Sequence, residues 1–140
     1  MNKKILVFSN GEKIGDGIIK LQLLHEIKTR LPNYKLYWLT NKGKTVYSST
    51  LKFIASNYID EILDQADLSP FFWNKISKRY KLHDESFDYI LDTQKSVIRT
   101  VALKRIKHKN FISGTGNGFF STKKIKNTKE KKYYLEYILD

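Results

Sequence analysis

Two short polar stretches, each at the end of an apolar run, carry the residue types that could do chemistry in this chain. The first is Ser9-Asn10-Gly11-Glu12-Lys13-Ile14-Gly15-Asp16-Gly17, and the second is Asp92-Thr93-Gln94-Lys95, with Arg99 soon after. Asp16 follows a loop and precedes a helical pattern, so the free N–H groups and dipole of that helix favour its ionised form. A carboxylate so placed, with glycines on both sides leaving room for a substrate hydroxyl, is suited to accept a proton. The same Asp16 also suits an ordinary helix N-cap, and Asp92 equally suits a cap for the helix after it. Asn10, Lys13 and Gly15 beside Asp16, and Gln94, Lys95 and Arg99 beside Asp92, are the candidate contacts for a polyhydroxylated or anionic ligand.

Other chemistries find less support. The first loop has glycines at 11, 15 and 17, which is not the G-x-G-x-x-G dinucleotide fingerprint, and no Gly-Lys-Ser/Thr follows as a phosphate loop requires. No nicotinamide cofactor is expected. His25, His83 and His108 lack metal-site spacing, and no metal is assigned. The chain has no cysteine, which removes disulfides and thiolate metal sites and fits a reducing compartment.

The elements that must position these residues follow from apolar patterning. Ile5–Phe8 is a continuous apolar run, the pattern of a strand buried on both faces. Ile18, Ile19, Leu23, Leu24, Ile27 and Leu31 then recur at helical spacing, with Asp16 at the N-cap and Pro32-Asn33 as the stop. Leu36–Leu39 is a second strand. Tyr47, Leu51, Ile54 and Ala55 predict a helix over 45–57, and residues 59–63 a third strand. Between Gln65 and Ser86 a short helix flanked by loops is expected, with the Phe71-Phe72-Trp73 end buried and the basic face of Lys75, Lys78, Arg79 and Lys81 in solvent. Phe87–Leu91 is a strand, Val97, Val101 and Ile106 mark a helix, and Phe111–Ile112 a short fifth strand. Lys104–Lys109 reads as a basic, solvated run. The Gly114–Gly118 run permits close backbone approach, Lys123–Lys132 is a solvated segment with six lysines, and Tyr133–Leu139 forms an apolar terminal helix in want of a cover. The alternation predicts an α/β class: one Rossmann-like domain over 1–140, a parallel sheet with helices on both faces.

At 140 residues and 41% apolar content the chain suits one domain with a core. Ile5–Phe8 is too short for a signal peptide, and no apolar run approaches the roughly 20 residues that cross a bilayer. A cytoplasmic location follows as the expectation, with peripheral membrane contact left open. Lys and Arg number 26 against 14 Asp and Glu, a net charge of +12, which calls for an anionic partner: nucleic acid, an anionic membrane face, or a phosphorylated lipid or sugar. Part of the excess is a lysine bias in composition.

The stretch Lys4-Ile5-Leu6-Val7-Phe8-Ser9, Ile14-Gly15-Asp16-Gly17 and Leu21-Gln22-Leu23-Leu24 resembles the opening of the lipopolysaccharide heptosyltransferases, glycosyltransferase family 9. Phe87-Asp88-Tyr89-Ile90-Leu91-Asp92-Thr93-Gln94 resembles the strand of that family that ends in Asp-x-Gln, with Tyr37-Trp38-Leu39 and Phe111-Ile112-Ser113-Gly114 in order around it. The resemblance implies the N-terminal, acceptor-binding half of a GT-B enzyme that needs no metal and inverts configuration in lipopolysaccharide or surface-glycan synthesis. It implies Asp16 as the base toward the acceptor hydroxyl, Asp92 and Gln94 on the acceptor side, and Lys13, Lys95 and Arg99 toward acidic sugar or phosphate groups. The partner implied is an anionic glycolipid or sugar acceptor, at the inner face of the cytoplasmic membrane. Where the family often has glycine after Asp-x-Gln, this chain has Lys95. Family members run to more than twice this length, so the half that binds the nucleotide-sugar donor, such as ADP-heptose, is expected from a second polypeptide, or the chain is inactive or a remnant. Self-association through the Tyr133–Leu139 helix is a further expectation. A small basic nucleic-acid-binding module is the alternative, against which the basic residues are scattered rather than gathered in a motif.

Overall fold

A computed structural model of the chain describes residues 2–114, 121 and 122. The glycine run beyond Gly114, the lysine-rich segment and the Tyr133–Leu139 helix lie outside the described residues.

Five parallel strands form one sheet: β1 (Lys3–Phe8), β2 (Tyr34–Leu39), β3 (Glu61–Leu63), β4 (Ser86–Asp92) and β5 (Lys107–Ser113), in the order β3-β2-β1-β4-β5. The apolar runs form strands because both faces of the central ones are covered, and Ile5, Leu6, Val7 and Phe8 have no exposed surface. Alternate residues feed two cores. Ile5, Val7, Leu36 and Trp38 face Leu24 and Ile27 of α1 (Ile14–Arg30), together with Tyr47, Leu51 and Ala55. Leu6, Phe8, Leu39 and Ile90 face Ala102 and Leu103 of α3 (Val97–Lys104), with Ala66, Leu68 and Leu82 beside them. The expected α/β arrangement with both faces covered is therefore present. At the outer edge, Thr122 exchanges backbone and side-chain hydrogen bonds with Phe111, and Ser121 Oγ accepts from Ser113 N, so β5 keeps part of its free edge occupied.

Several local expectations are corrected. The helix of 45–57 is two pieces, a 3-10 turn at Val46–Ser48 and the single turn α2 (Lys52–Ala55). Thr45 Oγ1 accepts from Tyr47 N, and the chain follows the surface of α1 instead of one straight axis. No helix forms between Gln65 and Ser86. That segment crosses the second face as turns closed by a bridge between Leu68 and Ser77. Phe71, Phe72 and Trp73 are exposed, not buried. On α3 the buried residues are Thr100, Ala102 and Leu103, while Val97 and Val101 face outward. The strand β5 begins at Lys107, inside the run read as solvated, and Arg105 donates to the carbonyls of Ser69 and Asn74 at 2.6 and 2.5 Å.

Candidate functional site

In this strand order the chain runs outward from β1 through β2 to β3, then crosses back to β4 on the other side of β1. The connections after β1 and β4 therefore diverge to opposite faces at the carboxyl ends of the strands, the place where open α/β sheets take their ligands. Residues 9–16 and 92–99, 76 positions apart at closest, are brought to this one edge. Thr93 joins them directly: its N–H and Oγ1 both donate to the carbonyl of Phe8, at 3.1 and 2.8 Å.

On the β1 side, Gly11 at φ +70° turns the chain out of the strand. Lys13 is the N-cap of α1 and makes no side-chain cap, so Asp16 is not the cap but a residue of the first turn. Its carboxylate is exposed and holds no hydrogen bond or ion pair among the described residues. Gly15 is exposed, and a Cβ there would meet nothing within 4 Å. Gly17, by contrast, has room for nothing: a Cβ would lie 2.5 Å from Val46 Cγ2 and 3.0 Å from Leu51 Cδ1. The carbonyl of Gly17 accepts from the Tyr47 hydroxyl at 2.6 Å. Burial, with the Glu12 charge nearby, pushes that hydroxyl well above its usual range.

Asn10 is turned inward to the neighbouring loop, where Oδ1 accepts from the backbone N–H of Asn41 and Lys42 at 3.2 and 2.9 Å. It ties the loop after β1 to the loop after β2. Lys13 and Lys95 are exposed, and Arg99 is half-buried. Asp92 is fully buried: one oxygen accepts from Thr100 Oγ1 at 2.6 Å and Ser113 Oγ at 2.8 Å, the other from Gln94 N at 3.0 Å. The N-cap of α3 is Ser96. Asp92 is thus not the cap of α3; it ties β4, β5 and α3 together and orients the backbone at Gln94.

Glu12 and Lys20 were missed by motif reading. Glu12 is buried, its Oε1 accepting from Trp38 Nε1 at 3.1 Å and from Thr45 Oγ1, and its Oε2 from Ser9 Oγ at 3.3 Å. Lys20 Nζ donates to Ser9 Oγ at 2.6 Å. Burial lowers the Lys20 pKa, and the charges of Glu12 and Asp16 act against that. The signal was available in part, because Lys20 lies one turn beyond Asp16 on the same helix face. Ile14, Ile18, Val97 and Ile98, in the first turns of the two helices at this edge, are exposed apolar side chains beside the polar floor.

The class of protein defined so far is a doubly wound α/β domain with an open carboxylate at its switch point. Comparison with known protein families, characterised proteins and solved structures finds no match. Among the described residues no helix is long and apolar enough to cross a membrane.

Proposed function

We propose that the chain is the acceptor-binding half of an inverting glycosyltransferase of the heptosyltransferase kind, with Asp16 as the base. One observation carries the reading. Of the carboxylates that follow the strands at the carboxyl edge of the sheet, Glu12, Asp64 and Asp92 are occupied by hydrogen bonds and Asp67 by Lys78, while Asp16 stands exposed in the first turn of α1 with both oxygens available. Gly15 beside it leaves space for a sugar.

In the reaction, Asp16 takes the proton of an acceptor hydroxyl as that oxygen bonds to the anomeric carbon of the donor. The bond from that carbon to the nucleotide's phosphate oxygen breaks, and the electron pair leaves with the diphosphate. Attack opposite the leaving group inverts the centre. Lys13, Lys95 and Arg99 supply positive charge for an acidic or phosphorylated acceptor, with Gln94 as a polar contact, while Lys20 holds charge balance behind the base. The donor belongs to a second nucleotide-binding domain across the cleft, and the exposed Ile14, Ile18, Val97 and Ile98 fit a surface covered by such a domain.

The test pairs this chain with a donor-binding domain of the family and measures sugar transfer from ADP-heptose to an acidic sugar acceptor. Asp16→Asn is expected to lower the rate by roughly 100- to 10,000-fold with the fold intact. Full activity in Asp16→Asn removes the assignment of the base, and no transfer by any such pairing removes the transferase reading.

A further inference from the structure

The loop Ser69–Asn74 presents three aromatic side chains to solvent, with Phe71 50%, Phe72 86% and Trp73 67% exposed. Hydrophobic side chains in a row rarely remain so open without a partner. Their presentation is built in. The Arg105 guanidinium clamps the two ends of the loop through the carbonyls of Ser69 and Asn74, Ser69 N donates to Ile76 O at 3.0 Å, and Ser69 Oγ accepts from Phe71 N and Asn74 Nδ2 at 3.3 and 3.2 Å. So braced, the loop holds its rings outward rather than collapsing them onto the sheet.

The segment that carries the knob has charge of one sign. From Leu68 to His83 there is no carboxylate, while Lys75, Lys78, Arg79 and Lys81 all fall in that span. Asp67 pairs with Lys78 at 3.2 Å and Asp84 with His83 at 3.1 Å. Lys75 and Lys81 have no ion pair among the described residues. Beside the loop a groove of about 620 Å³ is lined by Lys75, Lys78, Arg79, Lys81, His83 and Arg105.

We propose that Phe71, Phe72 and Trp73, flanked by Lys75 and Lys81, form a docking knob for an anionic lipid bilayer surface. Aromatic rings settle at the headgroup level while lysines beside them meet anionic lipid, and neither term alone gives firm attachment. The ring geometry favours a bilayer over single-stranded nucleic acid. Phe71 stacks on Trp73 at 4.9 Å and 18°, and Phe72 and Trp73 meet edge to face at 4.9 Å and 81°, so the three rings form one apolar cluster in place of the separate platforms on which successive bases stack. A second copy packed knob to knob would bring the same lysines together. The inference stands independently of the transfer reaction.

The experiment uses the intact chain with vesicles of phosphatidylcholine, with and without phosphatidylglycerol, read by sedimentation and tryptophan emission. The two tryptophans separate cleanly, because Trp38 is fully buried and Trp73 is exposed. Binding is expected on the anionic vesicles, with a blue shift and protection from acrylamide at Trp73. The double variant Phe72→Ala/Trp73→Ala and the double variant Lys75→Glu/Lys81→Glu, both altered only at exposed positions and checked by circular dichroism, are each expected to weaken vesicle binding by roughly tenfold or more. The proposal is overturned by failure of the intact chain to bind anionic vesicles, by equal binding to zwitterionic ones, by double variants that bind as well as the parent, or by single-stranded RNA binding in place of vesicle binding.

Discussion

The indole N–H of Trp38 donates to Glu12 Oε1 at 3.1 Å, so a strand residue of β2 and a loop residue after β1 share one buried carboxylate. Thr45 Oγ1 donates to the same oxygen and Ser9 Oγ to the other. Glu12→Ala leaves these buried donors without an acceptor and is expected to cost about 3 kcal/mol. Glu12→Gln, which retains one acceptor oxygen, is expected to cost less. Urea denaturation followed by tryptophan emission measures both.

Gly17 and Gly15, two residues apart in one helix, are expected to respond to alanine with opposite signs. A Cβ at Gly17 strikes the β-branched Val46 at 2.5 Å, and Val46 has little freedom to withdraw, so Gly17→Ala should destabilise by about 1 to 3 kcal/mol despite the better helix propensity of alanine. Gly15 faces open space, so Gly15→Ala should stabilise by up to ~1 kcal/mol. Thermal unfolding of the pair decides the matter, and equal shifts would contradict the close approach of α1 to Val46.

Asp92 accepts from Gln94 in the loop after β4, from Thr100 of α3 and from Ser113 of β5, in a site without solvent exposure. Asp92→Ala is expected to destabilise by about 3 to 5 kcal/mol, and Thr100→Val, which removes one donor, by about 1 kcal/mol. A variant Asp92→Ala as stable as the parent would show that the carboxylate does not join these elements.

Asp88 accepts from Lys4 N and from Lys109 Nζ, each at 2.8 Å. Burial raises its pKa, but the hydrogen bonds from Lys109 and Lys4 outweigh burial, and the net direction is downward. A depressed carboxylate stabilises the fold above its unfolded pKa of about 3.9, and that contribution is lost as pH falls through the folded value. Because Lys109 is largely exposed, the effect is expected to be under about 1 kcal/mol. Acid unfolding of Asp88→Asn should show a flatter stability loss below about pH 4 than the parent. An unchanged acid limb would contradict the assignment.

What the amino-acid pattern decided by itself is the list of strands and the class. Apolar runs such as Ile5–Phe8 and Leu36–Leu39 have no polar face to show solvent, so they must lie between two layers, and alternation with helical segments then requires parallel connections. The helix-terminal place of Asp16 was likewise visible, because local spacing reports local structure, although the cap fell to Lys13. Elements whose burial depends on distant chain were misread from the same kind of pattern. The 45–57 periodicity is interrupted because that segment follows the surface of α1 at Gly17, and Phe71–Trp73 stay outward because Arg105, far along the chain, braces their loop.

Only the tertiary structure decided which strands are neighbours. Backbone hydrogen-bonding groups are the same on every strand, so nothing in one apolar run names its partner, and the pairing of β1 with β4 is settled by the whole set of crossings. That pairing brings the Asp16 and Gln94 loops to one edge of the sheet. The neighbouring pairing of β4 with β5 buries Asp92 between strand and helix, where it acts as an internal tie.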